Sequence, residues 1–172
     1  MRRTVLAIMS AIATIERVLA SLDRAPLNVG MVTIPETGAS EQEIKAEEVF
    51  LSRPLSAPHA ALLKKWNGLN LDMIRIYGVG AVRSRIRRLK DNQLDSVARM
   101  PGFIAFGSDP SGFVYAEGKN LEVYCFDTDG GDRPEPIASN IEDFFGRYVF
   151  GPDSDKFIDT DWKERLRQAG IF

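Results

Sequence analysis

The chain is poor in the residues that carry most enzyme chemistry: among 172 residues there is one cysteine and one histidine. Cys125 stands alone inside "LEVYCF", so neither a disulfide framework nor a thiolate cluster for zinc is available. Between aromatic residues it reads as a small apolar side chain. His59 follows Pro58 near the start of an expected helix, with no second histidine for a metal and no neighbouring nucleophile to activate. No metal site and no cofactor are expected. No stretch reaches the ~18 uninterrupted apolar residues of a membrane span, so no membrane partner is expected. Strong net charge is missing as well: 22 Lys+Arg stand against 24 Asp+Glu, a formal balance of −2. Bulk charge therefore does not hold this chain on nucleic acid.

What is present is ordinary for one globular domain, 44% hydrophobic and 27% charged. A chain of this length buries roughly 70% of the surface its unfolded form exposes and needs no covalent staple. The opening "MRRTVLAIMSAIATI" has the basic start of a secretory signal, but Glu16 and Arg17 cut its apolar run short. Val5, Ile8, Ile12, Ile15, Leu19 and Leu22 recur at spacings of three and four, straight through those charges. The expectation is an intact cytoplasmic helix over about Thr4–Leu22, packed on its own domain or offered to a second copy as a homodimer contact.

Further along, "SEQE" at Ser40–Glu43 is a capping box opening a helix through "EIKAEEVFL". "PLSAPHAALLKKWNG" reads as another helix, with Ser56 as cap, Pro58 in the first turn and Gly68 ending it in a left-handed conformation. "MVTIPETGA" offers a short strand or an extended link, and "LDMIRIYGVG" one strand. "GFIAFG", "GFVYAE" and "LEVYCFD" follow as three strands joined by turn-forming links, which makes an antiparallel meander. Capping boxes in "SNIE" (Ser139, Glu142) and "DWKE" (Asp161, Glu164) open two more helices. The fold class expected is α+β: a meander sheet packed with N- and C-terminal helices. One domain, 1–172, is expected, with an N-terminal helix and extension over 1–35, a core over 40–150 and a C-terminal helix within 151–172.

Several motifs stop short of chemistry. "GSDPSG" at Gly107–Gly112 lacks the Gly-Lys-Ser/Thr ending of a phosphate loop and leads into a strand. It is no nucleophile elbow either, which needs Gly-x-Ser-x-Gly on a strand-to-helix turn. "DTDGGD" at Asp127–Asp132 begins like a calcium loop but has Ala138 at its twelfth position. "DSDKFIDTDWKE" at Asp153–Glu164 has acids at positions 1, 3, 7, 9 and 12, but Phe157 and Ile158 at five and six. Both read as turns and helix caps. "RSRIRRLK" at Arg83–Lys90 is the one dense basic run, in a stretch, "AVRSRIRRLKDNQLDSVARM", that reads as helix or irregular; without interleaved aromatics a solvated helix face explains it, and nucleic acid is not the expected partner. The charge is uneven along the chain: residues 1–90 hold 14 Lys+Arg against 8 Asp+Glu, and residues 91–172 hold 8 against 16.

Taken in order, "LKKWNGLNL" with Trp66, Asn67 and Gly68, "FIAFGSDPSGFVYA" with Gly107, Asp109 and Gly112, and "VYCFDTDGGDRPEPIASNIEDFFGRYV" resemble the SUKH superfamily, the Smi/Knr-like domains. The resemblance covers about residues 40–150. It implies an α+β domain without catalytic residues, and bacterial members look like immunity proteins that bind and neutralise toxins, often nucleases. Eukaryotic relatives look like regulators of cell-wall synthesis, so an intracellular scaffold is the alternative; a small-ligand binder using a pocket near Trp66 and Tyr77 is a third. On the immunity reading the partner is a toxin domain, and the surface expected to meet it combines Asp109, Glu117, Asp127, Asp129 and Asp132 with the aromatics Tyr115 and Tyr124. Strand alternation means that only some of these side chains point outward together.

Overall fold

In the computed structural model, described for residues 10–22, 27, 30, 32–80, 87–93, 97, 101–127 and 134–172, side-chain caps set the helix starts. Ser10 stands in extended backbone and its hydroxyl accepts from Ala13 N at 3.2 Å, so α1 spans Ala11–Leu19. The helix therefore begins later than its apolar stripe suggested, because a serine inside that stripe caps it; residues 4–9 of the expected helix lie outside the described residues. Ser40 and Glu43 form the full capping box of α2 (Glu41–Leu51), Ser40 N donating to the Glu43 carboxylate at 2.8 Å and Glu43 N to the Ser40 hydroxyl at 3.2 Å. Ser56 caps α3 (Ala57–Lys65) through His59 N, and Gly68 beyond its end takes φ +85°.

Between the helices and after them run seven described strands: β1 (Val32–Thr33), β2 (Leu69–Leu71), β3 (Arg75–Ile76), β4 (Ile104–Ser108), β5 (Val114–Glu117), β6 (Val123–Phe126) and β7 (Pro136–Ala138). They form one sheet in sequence order, every neighbouring pair antiparallel. The fold is α+β, as the order of elements implied. Two details differ from expectation. The strand expected in "LDMIRIYGVG" shortens to β3, and β2 ends at the first residue of that stretch, because Asp72 turns the chain at φ +66° with its N–H on the Asn70 side-chain oxygen at 3.2 Å. "PIA" supplies a seventh strand whose signal is weak, since proline at its start donates nothing to the ladder.

The chain divides into two compact units, residues 29–141 and residues 1–28 with 142–172. In the first, Ile44, Leu55, Leu63, Tyr77, Val79, Leu89, Val114, Ala116 and Phe126 share one apolar core, with Phe103 and Tyr124 packed against it. Arg53 ties the end of α2 to the strands: its guanidinium donates to the carbonyls of Gly102 and, at 2.7 Å, Gly118.

In the second, α4 begins at Ile141–Asp143 and continues as a π-helical turn, Phe144–Val149, with Phe150 N reaching back to Phe145 O at 3.0 Å. The turn packs Phe144 against Phe145 and Tyr148, and α1 lies along it with Ile15 and Val18 buried. The final helix, α5 (Thr160–Gln168), is capped by Asp159, which accepts from Trp162 N at 2.8 Å. Asp161 is thus in the first turn and is not the cap; Glu164 instead holds Arg167 and Gln168. Among the described residues no helix is long and apolar enough to cross a membrane.

Candidate functional site

The strand–turn–strand "IAFGSDPSGFVYA" fixes the most distinctive end of the sheet. Gly107 sits at a break in the β4–β5 register, where a Cβ would stand 2.6 Å from Arg75 O of the neighbouring strand, so only glycine allows that approach. Asp109 organises the turn. Its backbone N–H donates to Phe113 O and its Oδ1 accepts from Phe113 N, both at 3.1 Å, while Gly112 at φ +97° closes the loop. The other carboxylate oxygen accepts from the Tyr115 hydroxyl at 2.8 Å. Tyr115 is itself buried, so it holds Asp109 in place from beneath.

Register then brings β6 to the same end, since Ser108 pairs with Val114 and Val114 with Phe126. Asp127 follows Phe126 and is exposed. Both Asp109 and Asp127 bear on the Cys125 thiol: burial, then these two carboxylates, push it up to about 11. Cys125 therefore stays a neutral thiol at physiological pH and lacks the reactivity of a thiolate. Phe113, 39% exposed, stands on the turn between the two acids. The residue pattern did not single it out, because a phenylalanine leading into an apolar strand reads as core.

The remaining expected surface residues are dispersed. Glu117 is 2% exposed; Ser56 donates to its carboxylate at 2.8 Å, and burial pushes it above the usual carboxylate range against the opposing pull of Ser56 and Arg53. Tyr124 lies toward the other end of the sheet, its hydroxyl donating to Glu122 at 3.0 Å and its ring edge-on to Phe103 at 4.8 Å. Asp129 and Asp132 lie outside the described residues, as does half of the basic run, residues 83–86. Of that run, Arg88 pairs with Gly78 in a short parallel bridge and with Asp91 as an ion pair, and Lys90 stands 4.5 Å over the Phe50 ring. This end of the run, Arg87–Lys90, takes the irregular alternative: it lies against the sheet and turns at Lys90–Asn92, because Gly78 offers backbone partners to Arg87 and Leu89.

In the Trp66–Gly68 motif, Trp66 is buried and Gly68 takes φ +85°. Asn67 pairs with Val79 as a strand would, accepting from its N–H at 2.7 Å and donating to its carbonyl at 3.0 Å. The acids of Asp153–Glu164 also have partners of their own: Asp153 holds Arg147, Asp155 holds Lys163 and Asp159 caps α5. Among the described residues no group of three or more potential metal ligands converges.

Residues 38–147 match the SMI1 / KNR4 family (SUKH-1). The chain belongs to that family. Comparison with curated proteins gives no match. Within the SUKH-1 region fall the capping box of α2, the Asn67 clamp, the Asp109 turn and six of the seven described strands, β2 to β7.

Proposed function

We propose that this SUKH-1 protein is a non-catalytic binding protein of the cytoplasm, an immunity protein that occupies and neutralises a cognate toxin domain, with a nuclease as the class its charge suits. The observation that carries the reading is the grouping of Asp109, Phe113 and Asp127 at one end of the sheet. An exposed aromatic between two carboxylates is the composition of an interface anchor with a charged rim. Asp129 and Asp132 follow Asp127 in the chain, lie outside the described residues and stay in the proposed partner-binding set; Glu117 and Tyr124 are left out of it, and Tyr115 serves as the prop for Asp109. A nuclease holds phosphates in a basic groove, so an acidic rim of this kind competes for that groove in place of nucleic acid.

The test is inhibition. Any toxin domain found encoded beside this chain is assayed on nucleic acid with increasing amounts of the protein. Stoichiometric loss of cleavage by the wild type, and recovery of cleavage with Asp127→Lys combined with Phe113→Ala, is the expected outcome. A toxin left fully active at excess wild-type protein would remove the immunity reading and leave the scaffold reading of the same fold.

A further inference from the structure

A second polar cluster, basic where the first is acidic, lies within residues 29–141 and plays no part in the partner-binding reading. Arg75 of β3 stands opposite Ser108 of β4, and Tyr77 follows two residues later on the same side of its segment. Gly78 N donates to Arg87 O at 2.9 Å, which sets the Arg87 side chain beside the same phenol. Four side chains thus converge: two guanidiniums, one phenol and one serine hydroxyl.

Their hydrogen bonding is incomplete. Tyr77 is 0% exposed and its hydroxyl has no partner; the Arg75 Nε is buried and has none. Ser108 and Arg87 neighbour the phenol oxygen, but neither meets it at hydrogen-bonding geometry. Among the described residues no carboxylate pairs with Arg75 or Arg87, and Arg87, exposed, reaches only Asn92 Oδ1 at 3.3 Å. A buried donor left without an acceptor destabilises the fold, and here two such donors sit with two permanent positive charges. What the cluster lacks is an acceptor carrying negative charge.

We propose that Arg75, Tyr77, Arg87 and Ser108 bind a phosphate group, as the free dianion or a phosphate monoester. The choice over a carboxylate follows from counting. Two guanidinium forks and two hydroxyls supply more donors than one carboxylate accepts, and two positive charges match a dianion. Arg87 is the exposed member of the cluster, and Tyr77 and Ser108 are its buried ones. The inference stands on this cluster alone and survives failure of the immunity reading.

The experiment compares sodium phosphate with sodium chloride at matched ionic strength, pH 7, reading thermal stability and calorimetric titration on the full chain. Phosphate should raise the melting temperature by a few degrees in a saturable way and chloride should not. Tyr77→Phe should be at least as stable as wild type without phosphate, because it removes an unpartnered hydroxyl while keeping the ring, and should lose at least tenfold in phosphate affinity. Arg75→Lys should bind more weakly while keeping the charge. Glycerol 3-phosphate and phosphatidic-acid vesicles form two further arms: a response to the soluble ester alone assigns a small metabolite, and vesicle binding lost in Tyr77→Phe assigns a lipid headgroup. Equal responses to phosphate and chloride, or an undiminished phosphate response in Tyr77→Phe, overturn the proposal.

Discussion

At the scale of single residues, His59 shows how burial decides a role that its identity leaves open. The ring is 0% exposed, neither nitrogen has a hydrogen-bond partner, and it stands edge-on to Phe106 with centroids 6.0 Å apart. Burial, helped by the Arg53 charge, pulls its titration down to about 4. The folded ring is therefore neutral while the unfolded ring binds a proton below about 6.5, so this contribution to stability is present at neutral pH and is lost as pH falls toward 4. From this group alone the loss between pH 7 and pH 5 is about 2 kcal/mol. Glu117 and Glu47 run the other way: both are raised chiefly by burial, so their contribution is lost as pH rises above the usual carboxylate range. Urea unfolding of wild type and His59→Phe at both pH values isolates the histidine, and the two should differ in slope against pH; parallel curves would remove the account. Asn67 is the second case. Replacing it with alanine orphans the buried N–H and C=O of Val79 and should cost about 2–4 kcal/mol in the same assay, with a loss below 1 kcal/mol refuting the clamp.

At the scale of elements, legibility followed the range of the signal. The caps at Ser40 and Ser56 act within three residues, and both helices begin where those serines stand. Ser40→Ala should accordingly lower stability by about 1 kcal/mol, measured by denaturant midpoint at constant slope. The three central strands were legible because alternation and turn residues coincide in "FIAFGSDPSGFVYA". The break at Asp72 was not, since it depends on Asn70 bonding two residues ahead in a run that otherwise reads as continuous strand. The π turn of α4 and the Asp159 cap of α5 were missed for a related reason. Several acids in "DSDKFIDTDWKE" suit a cap equally, and packing of Trp162, whose indole donates to Val149 O at 2.9 Å, selects one. Of the expected site, Asp109 and Asp127 were legible as turn acids. That Glu117 turns inward was not, because its partner Ser56 is 61 residues away in sequence.

At the scale of the whole molecule, the register of β4, β5 and β6 brings two of the acids of residues 91–172, Asp109 and Asp127, to one end of the sheet. Family membership supplies the fold, and fold leaves the partner open, so the proposed function rests on that surface. Electrostatic complementarity of this kind acts mainly on the rate of association and weakens with salt. The decisive measurement is stopped-flow association with the neighbouring toxin domain, for wild type, Asp127→Lys and Asp109→Asn, from low to physiological salt. The account predicts a wild-type rate that falls with salt, roughly tenfold slower association for Asp127→Lys, and convergence of the variants as screening rises. Rates that are identical across all three proteins and flat with salt would contradict it, and would move the binding face away from the Asp109–Asp127 end of the sheet.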